Sequence, residues 1–258
     1  MNLNQKFTAF WTIFSKEVIR LLLVWKSTII APLISTSLYF LIFGTVIGSR
    51  IGEIEGFSYM KFIIPGIIMM PAITGSYMHT AFAVFLQKFQ RSIEDIVISP
   101  TPHAWMLAGF VLSGVVRGAI LSTSVYLVSL IFSHDLYIYN IGFVLLFIVL
   151  TSLAFSLIGF TSALYSKNFD DNNIIPTFVL TPLTYLGGVF YSIKALPGIW
   201  QTISRANPVL YMVNGFRYGF LGVSDVNVWF GVLMLSVFII VLTFLNLHLL
   251  KKGVGLKH

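Results

Sequence analysis

The sequence predicts an all-helical integral membrane protein, and three observations carry that prediction. Of the 258 residues, 57% are hydrophobic and only 10% are charged, whereas a soluble domain carries about 25% charged residues. The mean hydropathy is +0.90. Six apolar stretches are each long enough to cross about 30 Å of hydrocarbon, which takes ~20 helical residues. A water-soluble fold would need a polar surface that this composition does not supply, so residues 1–258 are interpreted as a single transmembrane domain.

The first predicted element is an amphipathic helix over residues 4–24. Its apolar residues recur at three- and four-residue spacing, which places them on one helical face. They are Phe7, Phe10, Trp11, Phe14, Val18, Leu21 and Leu22. Lys16 and Arg20 fall outside that face. We expect this helix to lie in the membrane interface with its aromatic side down; the alternative is a soluble amphipathic helix packed on a core.

Six predicted spans follow, joined by short polar breaks. They are 28–49, 59–86, 105–133, 138–165, 174–193 and 227–250. Lysine and arginine favour cytoplasmic segments. With the N-terminus in the cytoplasm, ten of the sixteen basic residues fall in inner segments, and the basic C-terminus is also inside when the span number is even. The prediction is a multi-pass membrane protein with both termini cytoplasmic.

Residues 194–222 do not read as a simple loop. The segment is apolar and aromatic, but proline and glycine divide it into pieces too short to span. Backbone that enters a membrane without crossing it must be shielded by protein or face water. We expect two short re-entrant or interfacial helices on the outer side, broken near Asn207 and Pro208. An ordinary aromatic-rich outer loop is the alternative.

The sequence lacks the usual signs of catalysis or of ion coupling. None of the nine acidic residues lies inside a predicted span, whereas ion-coupled carriers usually keep an ionisable group at mid-membrane. The five histidines are scattered, cysteine is absent, and no phosphate-binding GxxxxGK[ST] loop occurs. The basic residues form no arm or stripe typical of nucleic-acid binding. We therefore predict no catalytic residue, no metal site and no cofactor bound by this chain.

Two polar residues within predicted spans leave alternatives open. His79 either lines a pathway or is a neutral core histidine bonded to a neighbour. Arg117 lies between Gly114 and Gly118, a small-residue spacing that favours close helix packing. Its side chain either satisfies carbonyl groups, extends towards one membrane face or contacts a substrate.

A charged stretch, KFQRSIEDIVISPTP, interrupts the apolar runs at residues 88–102. A helix over 88–100 would place Phe89, Ile93 and Ile96 on one face and Arg91, Glu94 and Asp95 largely on the other. Pro100 would end it, because the residue before a proline avoids helical geometry. Such a helix suits docking to a partner, although a solvated loop is the commoner outcome for an isolated charge run.

The whole chain resembles the permease subunits of type-2 ABC exporters, a group that includes exporters of drugs, polysaccharides and lipo-oligosaccharides. The likeness rests on five segments in order. They are FGTVIGSRIG, FIIPGIIMM, KFQRSIEDIVISPTP, FDDNNIIPTFVLTPLTYLGGVFYS and NPVLYMVNGFRYGFLG. Each is weak alone, but together at these spacings they are specific. The resemblance implies an N-terminal helix on the inner surface, six spans, a coupling helix between spans two and three, and broken outer helices before span six.

By this resemblance, residues 88–100 are the coupling helix that docks into a separate ATP-binding subunit. The residues concerned are Phe89, Arg91, Ile93, Glu94, Asp95, Ile96 and Pro100. Lys167, Asp170 and Asp171 form a second, smaller contact on the same side. The resemblance also implies a homodimer in membrane lipid, with two copies of the ATP-binding subunit, which hold the ATP and Mg²⁺.

The function expected is export of an amphipathic or lipid-linked substrate, such as a drug, lipid or glycoconjugate. Aromatic and methionine side chains adapt to irregular apolar shapes, and seven are candidates for the pathway. They are Tyr39, Phe43, Met69, Met70, Tyr77, Tyr185 and Phe190. The alternatives are a secondary carrier or channel without an ATPase, which the missing intramembrane carboxylates argue against, and a membrane scaffold subunit that transports nothing.

Overall fold

The computed structural model describes residues 2–93, 98–133 and 136–255, and its architecture is helical. The long helices are α1 (Leu3–Leu23), α2 (Lys26–Ile51), α3 (Tyr59–Phe89), α4 (His103–Phe132) and α5 (Ile141–Tyr165). After them come α6 (residues 171–185), α7 (Gly198–Arg205), α8 (Pro208–Leu221) and α9 (Val228–Lys252). A two-stranded antiparallel hairpin, Glu53–Ile54 with Phe57–Ser58, joins α2 to α3. The predicted all-helical membrane class is confirmed.

Five of these helices, α2, α3, α4, α5 and α9, are long and apolar enough to cross a membrane. The predicted fifth span, 174–193, coincides only in part with α6. That helix consists of Asp171–Ile175, a π-helical turn at Pro176–Leu180, and Thr181–Tyr185. At 1.5 Å per residue it extends about 22 Å, less than the ~30 Å of hydrocarbon. The six-span count therefore stays a prediction.

Helices α3, α4 and α5 pack around a seam of small residues. Gly114 and Gly118 of α4 face serine and threonine side chains of α3 and α5 so closely that neither position has room for a Cβ. Gly159 of α5 lies against the backbone of α3, where an added Cβ would be 2.5 Å from the carbonyl oxygen of Tyr77. Small residues of this kind let helix backbones approach one another. The three helices form the core of the chain.

Helix α1 packs on this core through a face that shares only Leu21 with the predicted aromatic face. Its buried residues are Ile13, Glu17 and Leu21, spaced four apart on one side of the helix. Phe7 and Trp11 of the aromatic face remain about half exposed. The aromatic side is thus left free to meet lipid, while the Ile13–Leu21 side holds the helix against the protein.

The segment after α6 contains two short helices. Helix α7 ends at Arg205 and α8 begins at Pro208. Asn207 between them caps α8, because its side-chain oxygen accepts a hydrogen bond from the backbone N–H of Val209 (2.9 Å). Gly222 then ends α8 in a left-handed conformation (φ 74°) that favours glycine. The break lies at the Asn207–Pro208 pair; whether the two helices enter the membrane stays a prediction.

Candidate functional site

One end of the core carries a cavity that joins the two predicted partner contacts. It lies at the C-terminal ends of α3, α5 and α9 and has a volume of about 590 Å³; we call it the end cavity. It is lined by Phe85, Lys88, Phe89, Arg91, Leu164, Tyr165, Lys167, Val254 and Gly255. Phe89 and Arg91 belong to the predicted coupling segment, and Lys167 to the smaller predicted contact. The fold brings these two sequence segments together.

The predicted helix over 88–100 is corrected at its start. Lys88 and Phe89 form the last turn of α3. Arg91 adopts a left-handed backbone conformation (φ 58°), which stops the α3 hydrogen-bond ladder, and its N–H bonds instead to the carbonyl of Lys88 (3.0 Å). The chain is helical again at Ser92 and Ile93. The charged segment is therefore set off from α3 by a sharp bend rather than continuing it.

The remaining residues of the coupling segment are only partly described. Ile93 is buried against the core and Pro100 is exposed. Glu94, Asp95 and Ile96 lie outside the described residues. Beyond them, the side chain of Ile98 is 82% exposed.

The aromatic side chains beside the end cavity form a cluster across the two segments. Phe169 contacts Phe85 edge to face (5.0 Å between ring centroids) and Phe89 in a tilted arrangement (5.2 Å). Phe89 nevertheless remains 63% exposed. The cluster fixes the 166–170 loop against the end of α3 while leaving apolar surface free for a partner.

The smaller predicted contact is a capped turn. The Asp171 carboxylate accepts hydrogen bonds from the backbone N–H groups of Lys167 (2.7 Å) and Asn168 (3.3 Å). It is thereby committed to holding the loop that precedes α6. Lys167 and Asp170 are exposed. Of the three predicted residues, these two have charged groups available to a partner, whereas Asp171 positions them.

Four of the seven predicted pathway residues meet in an aromatic cluster between α2 and α6. The rings of Phe43 and Phe190 stack at 4.6 Å, and Tyr39 and Tyr185 each lie within about 6 Å of Phe190. The Tyr39 and Tyr185 hydroxyl groups are 3.4 Å apart. Tyr39 lies next to the π-helical stretch Phe40–Ile47, a widened geometry that often marks functional sites.

A second cavity adjoins this cluster and brings in Met70. Its volume is about 460 Å³, and it is lined by Tyr39, Met70 and Tyr185 together with serine, threonine, alanine and proline side chains of α2, α3 and α6. Hydroxyl groups and apolar surface thus face the same space. Met69 and Tyr77 lie elsewhere: both are fully buried in the core, and the Tyr77 hydroxyl donates to Ser162 (2.7 Å). They have no surface from which to contact a substrate in this conformation.

Comparison with known proteins identifies the family. A sequence model of the ABC-2 type transporter matches residues 8–221, most of the chain. The chain belongs to the ABC-2 type transporter family. It is therefore a multi-pass membrane permease and not a member of an enzyme family, and the family implies an ATP-binding partner.

Two curated relatives cover most of the permease. Inner membrane transport permease YadH of Escherichia coli (strain K12) is 47% identical over 248 residues, which is 95% of this chain and 96% of the relative. Nodulation protein J of Rhizobium meliloti (strain 1021) is 24% identical over 235 residues, 89% of each chain. The recognition made from the five sequence segments is confirmed.

The permease also contains a buried charge cluster that the sequence analysis did not identify. Arg217 of α8 is fully buried: its guanidinium donates to the carbonyl of Gly188 (2.6 Å) and lies 3.9 Å above the ring of Phe62. Asp225 is 4.0 Å away and accepts from the Ser192 hydroxyl (2.6 Å). One sequence signal could have indicated that Arg217 is buried. Asn214 precedes it by three residues, so both polar side chains lie on one face of α8, where they form a hydrogen bond.

Within the described residues, no group of three or more histidine, aspartate or glutamate side chains is arranged to hold a metal ion. The end cavity and the aromatic cluster are the two sites that the predicted residues converge on.

Proposed function

We propose that this chain is the membrane subunit of an ATP-driven exporter in a bacterial inner membrane. In this proposal it moves an amphipathic or lipid-linked molecule outward, and a separate subunit hydrolyses the ATP. Support comes from its family and from its likeness to an inner membrane transport permease. The observation that supports coupling between this chain and the ATP-binding subunit is the end cavity, where Phe89, Arg91 and Lys167 lie together.

Coupling through the end cavity follows from the contacts around it. Phe89 and Ile98 offer apolar surface, and Arg91 and Lys167 offer positive charge. A partner surface that closes on nucleotide binding changes the state of the permease only if it binds the two states with different affinity. The bend at Arg91 presents the charged segment to that partner, while α3 connects it to the core.

The docking role is tested with paired alanine variants. Phe89→Ala and Arg91→Ala should each reduce co-purification of the ATP-binding subunit by about tenfold, because each removes a contact worth roughly 1–2 kcal/mol. The matched control is Phe244→Ala, which removes a comparably exposed phenylalanine (70%, against 63% for Phe89) from the side of α9. ATP turnover of the reconstituted complex is the second readout.

The charged residues of the same segment provide a second test. Reversing Glu94 and Asp95 together should dissociate or uncouple the ATP-binding subunit while leaving membrane insertion intact. Unchanged association and turnover in this double variant, combined with unchanged association in Phe89→Ala, would overturn the proposed coupling site.

We place the substrate path at the aromatic cluster and its 460 Å³ cavity. Tyr39, Phe43 and Phe190 supply apolar surface, and the serine and threonine side chains supply hydrogen-bonding groups. This combination suits a molecule with both polar and apolar parts. The outward face of α2 is apolar, with Ile34, Leu38 and Leu41 about half exposed. In the proposal a second copy of the permease covers that face, and the path opens between the two copies.

The path is tested by substrate-stimulated ATP turnover in the reconstituted complex. The panel is a fluorescent phospholipid, a lipophilic cationic dye and a lipid-linked disaccharide. Tyr185→Ala should lower stimulation by the active compound several-fold and leave basal turnover unchanged, whereas Phe178→Ala, on an exposed face of α6, should match the wild type. Equal stimulation in both variants would remove the cluster from the path.

A further inference from the structure

A third cavity contains positive charges that the proposed export mechanism does not use. It has a volume of about 320 Å³, lies between α1, α2, α3 and α4, and includes Arg20, His79 and Arg117 in its lining. That volume falls at the lower end of the range for ligand pockets, about 300–1,000 Å³. We call it the cationic cavity. Its residues come from sequence positions nearly one hundred apart, so the fold and not local sequence assembles it.

Arg117 is the least compensated charge in the cationic cavity. Across the part of the chain that the structure describes, it forms no ion pair, and its buried Nε atom has no hydrogen-bond partner. A charged side chain within a spanning helix is costly unless it is paired or reaches water. The unmet Nε donor of Arg117 is therefore available to an acceptor from outside the protein.

Arg20 adds a second guanidinium to the same space. One of its nitrogens pairs with the Glu17 carboxylate (2.7 Å), and Glu17 also accepts a hydrogen bond from Gln87 (2.9 Å). His79 is held in place by Ser113 (3.0 Å from Nε2 to the hydroxyl oxygen), which is the behaviour of a core histidine. Arg20 is thus paired with Glu17, whereas Arg117 has no carboxylate partner among the described residues, so the cavity keeps one unpaired guanidinium group.

The mouth of the cationic cavity is apolar. Val24 and Phe82 border it and are 48% and 42% exposed at the surface of the bundle. A free phosphate would satisfy the arginines but leave this apolar rim uncovered. A phosphate attached to hydrocarbon chains satisfies both, because the chains lie along the rim while the phosphate oxygens accept from the guanidinium groups.

We propose that the cationic cavity binds the headgroup of an anionic phospholipid from the surrounding bilayer. Arg117 and Arg20 donate to the phosphate, and Val24 and Phe82 contact the first part of the acyl chains. The cationic cavity shares α2, α3 and Ser27 with the cavity of the proposed export path, but it involves none of the aromatic-cluster residues.

The experiment measures binding to the purified permease in an uncharged detergent by titration calorimetry. The probes are dihexanoyl phosphatidylglycerol, dihexanoyl phosphatidylcholine and inorganic phosphate. Phosphatidylglycerol should bind at least tenfold more tightly than either of the other two. Arg117→Gln should weaken phosphatidylglycerol binding about tenfold, as expected for loss of a charge-assisted hydrogen bond, and Arg117→Lys should recover most of the affinity.

Two further variants keep the test decisive. Arg50→Gln removes an exposed arginine elsewhere in the permease and should bind like the wild type. Arg20→Gln should weaken binding several-fold and serves in place of Arg117→Gln if that protein fails to elute as a single species in size-exclusion chromatography. Equal affinity for phosphatidylglycerol and phosphatidylcholine would overturn the proposal, as would equal binding by Arg20→Gln and Arg50→Gln. Phosphate binding as tight as that of phosphatidylglycerol would make this a free-anion site and would equally overturn the lipid assignment.

Discussion

Arg217 and Asp225 hold together three parts of the chain that are distant in sequence. Arg217 reaches the carbonyl of Gly188 before α7, and Asp225, just after α8, accepts from the Ile193 backbone N–H (3.0 Å). Lys194, on the other side of Asp225, also pairs with Glu55 of the hairpin (2.5 Å). The side chains of Arg217 and Asp225 are both almost fully buried, and the Arg217 charge depends on Asp225 for compensation.

Removing one partner of this pair should therefore destabilise the protein strongly. Asp225→Asn leaves the Arg217 charge buried without a carboxylate, and a loss of about 3 kcal/mol is expected. The measurement is thermal unfolding in detergent. Glu53→Gln, which neutralises an exposed carboxylate of the hairpin, is the control. Equal unfolding temperatures for the two variants would show that the pair contributes little.

Glu17 is a buried carboxyl on α1 whose pKa depends on its surroundings. Burial raises the pKa of Glu17 above its ordinary value of 4.5, an effect that Arg20, the Gln87 hydrogen bond and Lys16 oppose. Because the folded state then binds the proton more tightly than the unfolded state, the contribution to stability is complete below pH 4.5. It is lost as the pH rises through the higher, folded-state pKa.

Glu17→Gln should remove this pH dependence. The variant keeps a side-chain oxygen to accept from Gln87 but cannot ionise. Its unfolding temperature should rise relative to that of the wild type between pH 4.5 and pH 7, measured by scanning calorimetry in detergent. Glu53→Gln should instead follow the wild-type slope. Parallel curves for Glu17→Gln and the wild type would contradict the raised pKa.

Among the elements, the crossing of α3 and α5 is a close backbone contact that a single methyl group can test. Gly159→Ala places a Cβ 2.5 Å from the Tyr77 carbonyl oxygen, a backbone atom that cannot move alone. The helices must separate, and overpacking of this kind costs about 1–3 kcal/mol. Gly198→Ala, where an added Cβ meets open space, is the matched control. Thermal unfolding distinguishes the two, and equal temperatures would mean that the crossing adjusts freely.

The sequence predicted the elements best where hydropathy alone decides them. The second predicted span starts at residue 59, and α3 starts at Tyr59. Two features depend on tertiary contacts and escaped prediction. The first is the left-handed conformation of Arg91, which follows the end of α3, where Phe89 contacts Phe169 and Lys88 bonds to α5. The second is the end of α6 close to Gly188, whose carbonyl accepts a hydrogen bond from Arg217. The buried face of α1 was not predicted because it contains Glu17, a charged residue that is buried only through its contacts with Gln87 and Arg20.

The candidate site also divides into residues that the sequence could identify and positions that only the fold determines. Chemical type and resemblance selected Phe89, Arg91 and Lys167, and the structure places all three on one cavity. Composition selected Tyr39 and Tyr185, which are 146 residues apart and meet only through the fold. Met69 has the same chemistry as Met70 but lies on the buried side of α3. Residue type alone cannot tell those two neighbours apart.

At the scale of the whole molecule, the predicted orientation can be tested with single cysteines because the chain has none of its own. Ile98→Cys and Ile199→Cys occupy exposed positions, 82% and 78%, in the coupling segment and in α7. With both termini in the cytoplasm, a membrane-impermeant maleimide should label Ile199→Cys in intact spheroplasts and Ile98→Cys only after permeabilisation. The reverse pattern would invert the topology and place the end cavity outside.

Lys88 links the two helices that meet at the end cavity. Its ammonium group donates to the carbonyl oxygens of Leu164 (2.8 Å) and Ser166 (2.7 Å), which lie at and just beyond the end of α5. A cation at this position also suits the negative end of the helix dipole. Because Lys88 bonds the end of α3 to the end of α5, a displacement of the chain beyond Phe89 is expected to move both helices. Replacing Lys88 with ornithine, which shortens the side chain by one methylene, tests whether the ends of α3 and α5 move together.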